Sequence, residues 1–234
     1  MPDNPLILLF VKAPIRGQVK SRLAAVLGQE AALELYRNFV LDMLASIEAG
    51  GLSFRICYYP PDSGEIVKNW LGSHLQYLPQ EGNDLGERME RAFRRAFSDG
   101  AARAVLIGSD IPDLSPARLR DAAGRLDRTG AVIGPSKDGG YYLIGFRNDA
   151  FVPGIFQGME WSTGTVFKKT LQIFEQEQFE VTVLPPWQDV DTIDDLKDLI
   201  ERSRDSAFSA SRTMAYLAGI GTDLFFSEVR DANV

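Results

Sequence analysis

The sequence predicts an α/β protein, a three-layer α/β/α sandwich with a mostly parallel sheet and a late β-hairpin. Three observations carry that expectation. Residues 6–11, 104–107 and 131–133 are apolar runs without polar alternation, as expected of strands covered on both faces. Stretches with apolar residues at helical spacing alternate with them, at intervals that suit a sheet between helices. Finally, Gly139-Gly140 stands between two β-rich runs and reads as a hairpin turn.

In order, the first strand leads into a basic loop, and a short helix ends at Gly28. Leu33, Tyr36, Val40, Met43, Leu44 and Ile47 then predict a helix over 30–49, stopped by Gly50-Gly51. Phe54, Ile56 and Tyr58 alternate as in a strand, Pro60-Pro61 closes it, and a short helix over 62–71 and a strand over 75–78 follow. Asp84 with Glu87 approximates a capping box for a helix to about Phe97. After the run at 104–107, Ser115-Pro116 reads as an N-cap with proline at the first helical position, opening a helix to about Asp127. Residues 151–160 look irregular, and Ser162 or Thr163 should cap a helix to about Gln176. A strand over 179–184 and a helix from Ile193 to about Arg202, capped by Thr192 with Asp195, complete the pattern. A last short helix is expected at 214–217.

With 234 residues and no linker-like stretch, one domain over 1–202 followed by an extension over 203–234 is the expectation. No apolar run approaches the roughly 20 residues of a membrane span, and the first residues lack a basic signal-peptide region, so the expected location is cytoplasmic. A net charge of -7 argues against general binding to nucleic acid or anionic membrane. The single cysteine, Cys57, excludes an internal disulfide and a cysteine-rich zinc site. The single histidine, His74, makes histidine-cluster metal sites and Ser-His-Asp hydrolysis improbable.

Against this acidic mean, residues 12–22 hold four cations, Lys12, Arg16, Lys20 and Arg22, and no acid. With the backbone around Gly17 and the helix start near Ser21, they offer what a di- or triphosphate requires, although one glycine makes neither a P-loop nor a dinucleotide fingerprint. Gly108 and Ser109, small residues at a strand's end, let a ligand approach, and Asp110 stands where the strand stops; Asp110 and Asp113 can equally be turn residues. Gln80, Gly82 and Asn83 place amides and a flexible backbone beside a helix start, where a base or ribose could be read, while capping accounts for Asp84. Lys137 and Asp138 could face an acceptor, or serve only the turn. Asp189 and Asp191, beside another strand end, can complete an oxygen site for Mg²⁺ or Mn²⁺, or cap the next helix.

Taken together, these pieces resemble a bacterial family of nucleotide-diphospho-sugar transferase-like proteins over about residues 6–200. The resemblance rests on Phe10-Val11-Lys12-Ala13-Pro14 with Gly17-Gln18-Val19-Lys20-Ser21-Arg22-Leu23, then Gln80 with Asp84-Leu85-Gly86-Glu87-Arg88, and Gly108-Ser109-Asp110-Ile111-Pro112-Asp113. Gly134-Pro135 with Asp138-Gly139-Gly140-Tyr141, Trp161-Ser162-Thr163, and Asp189-Val190-Asp191-Thr192 with Asp195-Leu196 extend it. That family is similar to glycosyltransferases of the GT-A fold and to nucleotidyltransferases that make molybdenum-cofactor dinucleotides or activate phospholactate. The resemblance implies that Lys12, Arg16, Lys20 and Arg22 hold phosphates, that Gly82, Asn83 and Asp84 approach the nucleoside, and that Asp110 with Asp191 holds the metal. GT-A glycosyltransferases usually carry D-x-D at the central strand, whereas this chain has Asp110-x-x-Asp113, closer to the nucleotidyltransferase type. Three readings stay open: a glycosyltransferase using a nucleotide sugar, a nucleotidyltransferase joining a nucleoside triphosphate to a phosphorylated small-molecule acceptor with release of pyrophosphate, and a nucleotide-binding protein without catalysis. In the first, Asp138 is the candidate general base and Lys137 its neighbour in orienting the acceptor.

Overall fold

The structure, a computed structural model, describes residues 4–161 and 163–221. Ser162, proposed as a helix cap, and residues 222–234 of the expected extension lie outside the described residues. In chain order the first elements are β1 (Leu6–Lys12), α1 (Ser21–Leu27), α2 (Gln29–Ala49), β2 (Ser53–Tyr59), α3 (Gly64–Leu71), β3 (Tyr77–Pro79), α4 (Leu85–Ser98) and β4 (Arg103–Ile107). There follow α5 (Pro116–Thr129), β5 (Ala131–Pro135), β6 (Tyr141–Arg147), α6 (Val166–Gln176), β7 (Val181–Val183), α7 (Ile193–Ser203) and α8 (Arg212–Ile220). The expected α/β class, with a mostly parallel sheet and a late hairpin, is the one observed.

The chain falls into two compact units. The first comprises Met1–Ala13, Ser46–Ser109 and Leu114–Asp189, and holds the entire seven-stranded sheet, ordered β3-β2-β1-β4-β6-β5-β7. Only β6 runs against its neighbours, because the tight turn after β5 reverses the chain. β4 is the middle strand, parallel to β1 and antiparallel to β6, and every residue of it is buried. That position explains its uninterrupted apolar run. Leu8, Leu106, Ile133, Ile144 and Phe146 share a core cluster with Met89, Ala92, Phe93 and Ala96 of α4 and Phe174 of α6. Phe93 anchors it, with ring centroids 5.2 Å from Phe146 and 5.6 Å from Phe151.

The second unit comprises Pro14–Ala45, Asp110–Asp113 and the chain from Val190 onward. Its core joins Leu23 of α1, Ala32, Leu35 and Phe39 of α2, Leu196, Leu199 and Ile200 of α7, and Leu217 of α8. α8 is longer than its sequence signal: Ser211 caps it, accepting from Met214 N–H (3.1 Å), and Asp42 of α2 adds to the cap, accepting from the backbone N–H groups of Arg212 (3.0 Å) and Thr213 (2.9 Å). The other caps follow local chemistry. Ser115 accepts from Arg118 N–H at α5, and Thr192 and Asp195 complete a reciprocal capping box at α7.

Several boundaries differ from expectation, three of them with a clear local cause or a shift at the element's start. β3 begins at Tyr77 rather than 75. α6 begins at Val166 after Thr165, with no side-chain cap, so Thr163 does not cap it; its hydroxyl donates to Glu160 O instead. β7 spans Val181–Val183 and so lacks residues 179, 180 and 184 of the expected strand; Phe179 N–H instead closes the end of α6 on Phe174 O (2.8 Å) while Gln178 turns left-handed at φ 52°.

Two outcomes follow. Gly145 of β6 is so enclosed that a Cβ would meet Val105 Cγ2 at 2.9 Å and Val132 Cγ1 at 3.0 Å. Gly145→Ala should therefore destabilise the protein by roughly 1–3 kcal/mol in urea unfolding, the usual cost of overpacking. Cys57 is fully buried in β2, and burial pushes its thiol up to about 12. The thiolate is the reactive form, so its population shifts to higher pH. Native protein should be inert to a thiol reagent such as DTNB at pH 8, and one equivalent should react after denaturation.

Candidate functional site

In the second unit, the loop after β1 turns at Gly17 (φ 79°), where Gln18 N–H donates to Ile15 O. It ends at Lys20, the residue before α1, which adopts left-handed φ 48°, ψ 46°. That conformation costs a non-glycine residue about 1–2 kcal/mol. The lysine carbonyl accepts the first helical bond from Ala24 N–H (2.8 Å) while its side chain leaves the helix. The ammonium lies 2.5 Å from Asp110 Oδ1 and 2.9 Å from Asp191 Oδ1, and it also donates to Val190 O at 2.7 Å. Phe39 lies beneath it, 5.4 Å to the ring centroid.

Backbone bonds bring the two carboxylates to this lysine. Val190 N–H donates to Asp110 O (2.8 Å), joining the segment after β4 to the lead-in of α7. Asp195 of the α7 capping box accepts from the N–H groups of both Thr192 and Asp191, which fixes the backbone of Asp191. The Lys20 side chain is only 3% exposed, whereas those of Asp110 and Asp191 are 45% and 46% exposed. Burial alone would lower the lysine pKa, but the two carboxylates outweigh it and the net shift is upward. The ammonium therefore stays charged, and the carboxylates keep faces open to solvent.

Among the described residues, no three His, Cys, Asp or Glu side chains converge as a metal site. The Asp110–Asp191 pair nevertheless fits a small hard cation, which is commonly held by one or two carboxylates and completed by water and phosphate oxygens. Asp113 is not part of such a set. Its side chain, 6% exposed, forms a two-pronged pair with Arg202 of α7 (2.7 and 3.1 Å). The remaining basic-loop residues are arranged differently from Lys20. Arg16 pairs with Glu30 on the surface at 2.9 Å, and Gly17, Ser21 and Arg22 are exposed.

In the first unit, Lys12 is exposed at the end of β1 and Ser109 is buried after β4. Gln80 is buried, its Nε2 donating to Cys57 O (2.7 Å), so this amide braces the strands. Gly82 has φ 145°, and a Cβ there would lie 2.7 Å from Glu87 Cβ. Asn83 donates from its backbone N–H to Glu87 Oε2 (2.9 Å), and Asp84 accepts from Glu87 N–H (2.8 Å). The capping box is thus offset, with Glu87 reaching Asn83 instead of Asp84. In the β5–β6 turn, Asp138 Oδ1 accepts from Ser136 Oγ and from Gly140 N–H (3.0 Å), while Lys137 Nζ donates to Gln188 Oε1. Both residues are exposed.

The structure thus brings Lys20, Asp110 and Asp191 together and leaves Arg16 in a different pair. Sequence reasoning missed the Val190 carbonyl, the Phe39 ring and the Arg202 partner of Asp113. No local pattern marks any of them; the excess of cations around Lys20 was the only signal.

Residues 43–163 match the family model described as "Uncharacterized protein conserved in bacteria (DUF2064)". Among solved structures, a Desulfovibrio desulfuricans G20 protein assigned as a nucleotide-diphospho-sugar transferase is 43% identical, with 97% of this chain and 98% of that one covered and a TM-score of 0.92. A nucleotidyl transferase from Methanothermobacter is 17% identical, with 85% and 97% covered and a TM-score of 0.57. Rv0371c from Mycobacterium tuberculosis, solved in complex with manganese, is also 17% identical, with 85% and 99% covered and a TM-score of 0.53. The last two show likeness of fold alone.

The contrast between the two aspartates after β4 is testable in urea. Asp113→Ala removes the two-pronged partner of Arg202 and should cost roughly 2–4 kcal/mol, since Arg202 is not wholly buried. Asp110→Asn should cost less, because Lys20 keeps Asp191 and the Val190 carbonyl.

Proposed function

The chain belongs to the bacterial DUF2064 family, and from that premise we propose that it is a metal-dependent transferase acting on a nucleotide-sugar donor. The observation that carries this reading is the convergence of Asp110, Asp191 and Lys20, two half-exposed carboxylates beside a buried ammonium. The designation of the Desulfovibrio protein, 43% identical over nearly the whole chain, supports the donor class. The manganese complex of Rv0371c supports a divalent ion.

In this reading Asp110 and Asp191 hold Mg²⁺ or Mn²⁺, which supplies charge neutralisation for the departing diphosphate. Lys20 contributes a fixed positive charge in a water-poor setting, where it stabilises developing negative charge more than an exposed cation would. Lys12, Arg16 and Arg22, with Gly17, Ser21 and Ser109, contribute phosphate contacts, and Gly82, Asn83 and Asp84 border the nucleoside. Asp138 is the general base for a hydroxyl acceptor. Both of its structural bonds end on Oδ1, so Oδ2 is the oxygen that takes the proton. Lys137 orients the acceptor beside it.

A second reading, nucleotidyl transfer to a phosphorylated acceptor, is favoured by one observation. Asp113 is committed to Arg202, so the loop after β4 offers Asp110 alone to a cation rather than the paired carboxylates of D-x-D. A phosphate acceptor is already ionised, and Asp138 is then dispensable.

Thermal unfolding with nucleotide sugars, nucleoside diphosphates and triphosphates, with and without Mg²⁺ or Mn²⁺, separates these readings. Ligand at a hundredfold excess over Kd stabilises by about 2.7 kcal/mol, a shift of several degrees for a chain of this size. Metal-dependent stabilisation by one nucleotide sugar above its matching triphosphate is expected, and the reverse order would favour nucleotidyl transfer. Once the donor is identified, Asp191→Asn should lower turnover at least a hundredfold. Asp138→Asn should lower kcat by a similar order with KM little changed; unchanged turnover would remove its role as base.

A further inference from the structure

Lys20 places its own positive charge where the divalent ion is proposed to bind. The oxygens nearest the ammonium, Oδ1 of Asp110 and Oδ1 of Asp191, are natural ligand atoms for that ion. An ammonium and a divalent cation on the same two oxygens would repel each other in a locus where the lysine is almost withdrawn from water. We infer that Lys20 is a resident occupant of the cation site, displaced when a diphosphate gives its ammonium a second anionic partner, so that metal and nucleotide load cooperatively. The inference rests on the reading of Asp110 and Asp191 as metal ligands.

The surroundings of Lys20 suit an exchange of partners over a short distance. Its backbone is committed to the start of α1, and its ammonium lies over the Phe39 ring, so any exchange is a short movement of the side-chain end. Val190 O is a neutral acceptor at 2.7 Å that can stay with the ammonium when carboxylates are traded for phosphate oxygens. Metal alone must then bind against an ammonium with no new anion to satisfy it. Diphosphate alone must approach two uncovered carboxylates. Each ligand removes the obstacle to the other, which is positive coupling between two ligands of one site.

Binding of Mn²⁺ alone, followed by electron paramagnetic resonance on the full chain, tests this without turnover. Lys20→Met should bind Mn²⁺ at least tenfold more tightly than wild type, and Lys20→Met/Asp110→Asn should lose that gain. Equal or weaker binding by Lys20→Met, with Asp110→Asn still impairing it, would overturn the inference and leave the metal reading standing. Mn²⁺ binding indifferent to Asp110→Asn, or absent from every form, would overturn the metal reading and the inference with it. Two wild-type measurements guard against a variant that misfolds. Acetylation of Lys20, read by mass spectrometry, should be slow in the free protein and rise on saturation with Mn²⁺; no rise overturns the inference. Mn²⁺ with inorganic pyrophosphate should raise the melting temperature by more than the two shifts added, and simple additivity overturns it.

Discussion

The second unit is assembled from three stretches of chain far apart in sequence, and the Lys20 ammonium touches all of them. It stands at the head of α1, reaches Asp110 in the four-residue segment after Ser109, and meets Val190 and Asp191 at the threshold of α7. Desolvating a lysine is unfavourable, and so is a left-handed backbone in a residue other than glycine. Both are offset by two carboxylates and a carbonyl on a single ammonium. The same segment is anchored a second time through Asp113 and Arg202. Two acids three residues apart thus meet opposite fates, one half-exposed beside a lysine and one sealed against an arginine.

The fold was readable because its determinants are local. A middle strand declares itself by an unbroken apolar run, a hairpin by paired glycines, a helix start by Ser115-Pro116 or by Thr192 with Asp195 three residues on. Where a boundary was misplaced, a bond outside the regular helix or strand pattern intervened. Phe179 belongs to the end of α6 because its N–H finds Phe174 O, and the start of α8 is held both by Ser211 and by Asp42, 170 residues upstream of Arg212.

The candidate site was less readable because what arranges it is not local. Lys20 and Arg16 are equivalent in composition, yet one is buried between carboxylates and the other pairs with Glu30 at the surface. Nothing in the local sequence distinguishes them, since the difference arises from a left-handed backbone and from Val190 bonding to Asp110 O across the unit. Asp113 likewise looks like a candidate ligand until Arg202, 89 residues further on, is seen to occupy both of its oxygens. The pairing of Asp110 with Asp191 was visible only through resemblance to a family.

The discontinuity of the second unit also bears on how the chain matures during synthesis. The described strands of the first unit have all been made once Val183 is added, but the core beside Lys20 lacks Leu196, Leu199 and Leu217 until α7 and α8 emerge from the ribosome. Until then, Leu23 of α1 and Ala32, Leu35 and Phe39 of α2 lack those partners. Contacts of such long sequence separation form slowly, after a large loss of loop entropy. Translation that stops short of α8 would therefore release a chain in which the sheet strands are made and the core of the second unit is unfinished, the kind of product that cellular quality control removes.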